Sequence, residues 1–441
     1  MLAVLIALLA PPPPAPPETP PPPVATPEPA SPPPALAAPP AEGEAEEKAP
    51  WQRDGWGWGA LPALNYNSDD GFGFGAIGDI YRYDGETRPY RADLGFLIFF
   101  TSKGSQYHRL NLDLLRVGGL PLRLTSRVQF QVTKVRNYCG LTPPGDCDED
   151  IAEAAADDLG LSGDDRDEFV RRYYLVRVTD PYLSLNARYE LTRLGPYKVE
   201  AFGGWFGQIV IPGDFDSDAP YPNSRYAQDF GGGEEGFLSV LQAGVMFDGR
   251  DNEPSPTAGT WLEASVRGAG PWIGSRDEWE YVGFNVTLRG YQTLGTDRLV
   301  LTDRLVFDGI FGDTYTGDLA RAGGSQLYDF FGGQRAGRGI RASRVLGRAR
   351  AMNQTELRAT VWRPRPFGLQ LDITPIAFFD IGYWAETFDD IGDEDKAAVV
   401  WGTGGGLRVA ANQNFIVRFD LGFSPLEEWA PSIYLDLSNL W

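Results

Sequence analysis

Histidine is almost missing from this chain: 441 residues hold one, His108, beside 2 cysteines and 3 methionines. A single imidazole excludes a multi-histidine zinc site and leaves a serine-type triad one possible base. Cations are scarce as well, 39 Lys and Arg against 60 Asp and Glu, so 39 − 60 gives a formal charge of −21. Phosphate backbones are held by clustered Lys and Arg, and that deficit excludes nucleic acid as a partner. No run of 18 apolar residues occurs, which excludes a transmembrane helix. Helical periodicity is also lacking almost everywhere after residue 50. Length alone suggests two or three domains, but the pattern reads as one large all-β unit.

What is present begins with MLAVLIALLA at residues 1–10, an apolar run of signal-peptide length. No Lys or Arg precedes it, which departs from the usual leader and is consistent with a start further upstream. Residues 11–50 are rich in Pro and Ala and close with AEGEAEEKAP. Such a stretch can neither donate ladder hydrogen bonds nor bury a core, so an extended linker is expected, either a periplasmic tether or a disordered tail. Residues 51–441 are expected to form the folded unit.

From Trp51 onward, apolar and polar residues alternate with period 2, placing one set on each face of a strand. In NFIVRFDLGF, Phe415, Val417, Phe419, Leu421 and Phe423 oppose Asn414, Ile416, Arg418, Asp420 and Gly422. Leu185, Ala187, Tyr189 and Leu191 likewise oppose Ser184, Asn186, Arg188 and Glu190. A soluble sandwich would alternate too. Strand length, aromatic excess at strand ends, the leader and Trp441 closing the last strand favour a transmembrane barrel, whose strands need about 9–11 residues. Sixteen antiparallel strands are expected: 58–66, 71–83, 88–102, 106–117, 121–137, 172–192, 197–212, 236–248, 258–268, 279–293, 297–311, 351–363, 367–384, 398–410, 413–424 and 431–441. With both ends periplasmic, the three longest connections, 138–171, 213–235 and 312–350, all fall outside, and short links fall inside, as barrel topology demands.

Three segments carry a family resemblance: FDGRDNEPSPTAGTWLE from Phe247, FFGGQRAGRGIRASRVLGRARAMNQTELR from Phe330, and AFFDIG from Ala377. In them the chain resembles the BamA/TamA outer-membrane family, also called the bacterial surface antigen family. Asp248, Arg250, Asp251, Pro256 and Gly259 match the family's turn motif; Gly332, Gly333, Arg338 and Gly339 match the tip of its inward-folded sixth outside loop, with Ile340 where Phe or Tyr is usual. Phe378, Asp380 and Gly382 match its strand-thirteen motif, Glu356 supports it, and Trp441 matches its C-terminal assembly signal. The resemblance is close from about 236 to 441. It implies an Arg338–Asp380 pair locking loop six inside the lumen, and alternation puts Asp380 inward with Gln370, Asp372 and Thr374. Because a lumen is wet, breaking the pair is expected to cost less than the roughly 3–5 kcal/mol of a buried one.

The resemblance also implies a function: assisting insertion or translocation of polypeptide, or lipid, at the bacterial outer membrane. The expected surroundings are outer-membrane lipid and lipopolysaccharide, client polypeptides, and periplasmic proteins standing in for the POTRA domains that the family carries where this chain has its linker. The alternatives are a passive channel or structural barrel and, third, an outer-membrane enzyme. No cofactor or metal is implied.

Other signals weigh less. GFGAIG at residues 73–78 lies within a strand pattern and precedes no helix, so it is no nucleotide site. Asp214, Asp216 and Asp218 have calcium-loop spacing without the Gly and Glu that complete such a loop. Residues 148–172 form the one helix-like stretch, with Ile151, Ala155, Leu159 and Leu161 spaced for one face, expected as a hairpin over the barrel mouth. Cys139 and Cys147 lie eight residues apart in an outside loop of an exported chain, so a disulfide is expected. Alkylation read by mass spectrometry should find two reactive thiols only after reduction; two thiols free beforehand would remove this bond.

Overall fold

The computed structural model describes residues 54–437 apart from 68–70, 88, 142–146, 254, 326–327, 367–370 and 412–414. The expected leader, the linker and Trp441 lie outside the described residues. The described chain is a closed, antiparallel barrel of sixteen strands. Its first half comprises β1 (Asp54–Asn67), β2 (Gly71–Asp84), β3 (Ala92–Thr101), β4 (Gln106–Leu114), β5 (Leu122–Asn137), β6, β7 (Tyr197–Pro212) and β8 (Gly236–Asp248). The second half comprises β9 (Gly259–Ala269), β10 (Tyr281–Leu294), β11 (Thr296–Gly312), β12 (Ala349–Ala359), β13 (Leu371–Ala385), β14 (Ala397–Ala411), β15 (Phe415–Phe423) and β16 (Ser432–Leu437). Strand β6 is interrupted, running as Leu175–Thr179 and Tyr182–Leu194. The break falls at Asp180 and Pro181, where proline has no amide to donate to a ladder.

Strand number and order follow the alternation, and the ends are corrected locally. Strand six was expected from 172, but a helix occupies Asp164–Arg172. Strand three begins at Ala92 rather than 88, and strand twelve runs Ala349–Ala359 rather than 351–363.

The two faces separate as a bilayer requires. Leu185, Tyr189, Leu191, Leu407 and Phe419 are exposed on the outside of the barrel, while Ile416, Arg418 and Asp420 are buried on the inside. No helix among the described residues is long and apolar enough to cross a membrane. His108 sits with the outward set, its ring edge-on to Phe100 and stacked on Phe130, which places it in packing.

The outside end is domed. In loop three, α1 (Glu149–Asp158) and α2 (Asp164–Arg172) form the expected hairpin, tied by Arg166 to Asp157 and Glu153. The expected apolar face is wrong: Ala152 and Ala156 are buried, while Ile151 and Leu159 are exposed. The small alanines let the helices approach closely, and the larger side chains are left outside. Cys139 and Cys147 are joined, Cα atoms 5.1 Å apart. Tyr138, Tyr226, Trp279, Tyr315 and Leu319, from loops three to six, pack into one core over the barrel mouth. Loop four's Asp214 accepts from the amides of Asp216 and Ser217, and Asp216 pairs with Lys134 at 2.5 Å, so these carboxylates close a turn.

A closed barrel offers no free edge from which to unzip. The protein should therefore run faster in a denaturing gel unboiled than boiled; recovery of folded chain in buffer without detergent would remove the membrane assignment.

Candidate functional site

Loop six, residues 313–348 between β11 and β12, folds back into the lumen. Its tip carries Phe330, Phe331, Ala336, Ile340 and Val345, which pack with Val306, Met352, Trp384 and Val400 of the wall. Ile340 is fully buried here, so the aliphatic side chain fills the place where an aromatic was expected. Two glycines allow the close approach. Gly339 adopts φ +96°, and a Cβ there would lie 2.6 Å from the backbone of Phe423. A Cβ on Gly382 would lie 2.8 Å from the ring of Phe331. Gly332 and Gly333 donate to the carbonyls of Ala336 and Ile340, curling the tip on itself.

That packing drives Arg338 into the wall. Its Nε and Nη2 donate to the two carboxylate oxygens of Asp380, both at 2.9 Å, and its own amide donates to Asp380 at 3.0 Å. A planar guanidinium matches a carboxylate in this two-pronged way, and a lysine could not. Nη1 donates to Glu356 Oε1 at 2.5 Å, and the guanidinium lies 3.7 Å above the ring of Phe378. The expected site residues Arg338, Asp380, Glu356, Phe378 and Gly382 are thus brought together. Gly339 adds an amide that donates to Tyr434 of β16 at 3.2 Å.

The expectation of a wet pair is corrected: Arg338, Asp380, Glu356 and Asp420 are all 0% exposed. Charges so desolvated persist only when balanced, and balance comes from residues that sequence reasoning passed over. Arg358 donates to Glu356 at 2.9 Å; Arg408 donates to Asp420 at 2.5 Å and to Glu356 at 3.3 Å. Arg418 lies 3.7 Å from Asp420 and 3.3 Å from Asp436, so Arg338, Arg358, Arg408 and Arg418 face Asp380, Glu356, Asp420 and Asp436, four against four. Inward parity was the available signal for Asp420, but partner choice depends on strand register, which alternation does not reveal.

A second anchor holds the start of the loop. Asp308 of β11 accepts two bonds from Arg267, at 2.9 and 3.0 Å, one from Gly323 N at 2.8 Å, and one from Arg350. Glu263 accepts from the amide and hydroxyl of Ser325 at 2.6 and 2.5 Å. In the dome, Thr316 donates its amide to Glu234 at 3.0 Å, and burial pushes the Glu234 carboxyl above its ordinary value.

The turn-motif residues lie elsewhere, between β8 and β9. Arg250 forks onto Asp248 at 2.9 and 2.8 Å, Asp251 accepts from Thr257, Pro256 is buried, and Gly259 takes φ +102° against the Gly249 carbonyl. They shape one turn at the short-loop end and do not join the lock.

Residues 206–429 match the model of the Omp85 superfamily domain. Among solved structures, the chain is similar to CdiB from Escherichia coli, with a TM-score of 0.56 at 13% identity over 86% of this chain and 62% of that one. It is also similar to BamA from Haemophilus ducreyi lacking POTRA domains 1–3, with a TM-score of 0.50 at 12% identity over 88% of this chain and 70% of that one. At these identities the likeness is one of fold. The chain spans 62% of the length of that CdiB structure. No curated protein matches it.

Removing Arg338 takes from buried Asp380 its ion-pair partner while Glu356 and Asp420 keep Arg358 and Arg408, whereas removing Asp380 leaves Glu356 to hold the guanidinium. Arg338→Ala should therefore cost about 3–5 kcal/mol and Asp380→Ala less, read as the temperature at which the fast-running gel form disappears. Loop six should become more sensitive to external protease in both. The double variant should resemble Arg338→Ala; fully additive effects would mean that the two residues do not act on each other.

Proposed function

This chain belongs to the Omp85 superfamily and is an outer-membrane barrel, and we propose that it assists insertion or translocation of polypeptide there, working with separate periplasmic proteins. The observation that carries this reading is the seam. Among the described residues, β1 and β16 pair at two rows, Tyr66 with Leu435 and Asn67 with Tyr434, whereas β15 and β16 pair at six and β1 and β2 at fourteen. The described ladder at this seam is thus short, and a weakly held edge is a template for an incoming strand.

Loop six supports the same reading by bearing on the seam strand. Gly339 is bonded to Tyr434 of β16, and Glu427, in the loop leading into β16, accepts from the Arg341 amide at 3.2 Å and pairs with Arg341 and Arg344 at 3.1 and 3.3 Å. A client strand adding to β1 would meet a last strand held from inside. The lumen filled by loop six fits a barrel working at its wall better than an open diffusion pore, which sets this reading above the passive channel.

Depletion of the protein followed by an outer-membrane proteome should lower several other barrels together; loss of this protein alone would favour the structural barrel. In complementation, the pair Tyr66→Cys with Leu435→Cys, oxidised across the seam, should fail to restore those barrels, while each single variant restores them.

A further inference from the structure

Among the described residues two prolines lie in the interior of a strand, Pro62 of β1 and Pro375 of β13. Proline has no amide hydrogen, so the neighbour it faces decides which ladder loses a bond. Pro375 shows the effect within this barrel. Ile373, on the same edge of β13, donates to the Trp362 carbonyl and accepts from the Val361 amide, so alternation turns Pro375 toward β12. The continuous ladder with β12 ends at Arg358 opposite Ile376, and pairing resumes at Trp362 opposite Ile373, one residue out of register.

Pro62 faces the seam. In β2, Phe72 accepts from the Ser102 amide at 2.7 Å and donates to Ser102 Oγ at 3.1 Å, while Arg82 accepts from the Arg91 amide at 2.8 Å. Ser102 and Arg91 flank β3, so the even-numbered residues of β2 turn their backbone groups toward β3. The β1–β2 register runs unbroken, with Tyr66 opposite Phe72, Pro62 opposite Ala76 and Trp56 opposite Arg82. The even-numbered residues of β1 therefore turn theirs the other way, toward β16. Trp56, Trp58, Ala60, Leu64 and Tyr66 each bring an amide to that edge, and Pro62 brings none.

The strand changes character on the short-loop side of the proline. Trp56 and Trp58 stand 74% and 80% exposed on the outer face, and the residues between and beside them, Gly55, Gly57 and Gly59, give the lumen no side chain to hold. A Cβ on Gly59 would meet no described atom within 4 Å, so its bareness is not a packing requirement. Glycine there leaves the strand easier to bend. The opposite leaf of the seam differs, since loop six grips β16 at Tyr434.

We propose that Pro62 is a register stop on the seam edge of β1. A strand lying along that edge is bonded at Leu64 and Tyr66 on the outer side of the proline and at Ala60, Trp58 and Trp56 on the other, in two short runs instead of one. For β16 the stop confines closure of the barrel to the outer end, where the described rows Tyr66–Leu435 and Asn67–Tyr434 lie. For an incoming strand it limits the hold of β1, so that a client once added can leave; this second role rests on the function proposed above, and the first does not.

The test is hydrogen exchange of the detergent-purified full chain, read by mass spectrometry over peptides covering residues 56–66. Pro62→Ala and Pro62→Thr each restore an amide at the stop and should slow exchange there about tenfold, the factor that one hydrogen bond of ordinary net strength supplies. Both should keep the fast-running gel form and carry it to higher temperature. Pro375→Ala, whose restored amide faces β12, should leave these peptides unchanged. Unaltered exchange in both Pro62 variants, or equal slowing in Pro375→Ala, would overturn the stop. In complementation after depletion, the Pro62 variants should restore the other barrels less fully than the unaltered chain. Slowed exchange with full restoration would establish the stop and remove its role in client release.

Discussion

The structure turns on one guanidinium removed from water. Arg338 cannot lose its proton in a protein, so its burial obliges the wall to supply carboxylates at the right places. Asp380, Glu356 and Asp420 do so from three strands, and each needs cations of its own, which brings in Arg358 and Arg408. The glycines follow from the same constraint. A Cβ on Gly402 would lie 2.0 Å from the Arg338 carbonyl, and one on Gly422 would lie 2.6 Å from the Gly339 amide. Their bareness lets the loop lie directly on the wall. Net gain from such a balanced cluster is modest against an apolar core, but its geometry admits one placement of the loop, and one placement is what a specific site requires.

That placement reaches the edge of the sheet. Tyr434 is almost fully buried under the loop and receives the Gly339 amide, while Glu427 fixes the turn that delivers β16. The strand with the fewest described pairs to its β1 neighbour is thus held by the loop inside the barrel. Whatever shifts the loop shifts the support of the seam strand, through contiguous contacts and without any change in the ladder itself.

The strands were legible because lipid on one side and charge on the other force a period of two, and parity then fixes which residues look inward. Asp380, Arg418 and Asp420 were read inward on that basis and lie there. The Arg338–Asp380 pairing came from resemblance alone; parity allowed it and could not select it among the inward carboxylates. Arg358 and Arg408 escaped notice because their partners are chosen by cross-strand register. The helical hairpin misled for a different reason. Spacing favoured the large residues Ile151 and Leu159, but close helix packing selected Ala152 and Ala156.

Loop six is held at two ends by different walls, and this decides how it can move. Asp308 and Glu263, on β11 and β9, grip residues 323 and 325, while β12 to β15 grip residue 338. Between the grips, Phe330 and Phe331 are buried on the wall. A strut anchored at both ends cannot leave the lumen by losing one anchor. Release at Arg338 frees the tip, and with it Gly339 and its hold on Tyr434, while the Asp308 cluster keeps the first half of the loop across the mouth. The seam strand can therefore be loosened while the outer mouth stays covered by the dome, which separates movement at the wall of this barrel from opening of its lumen.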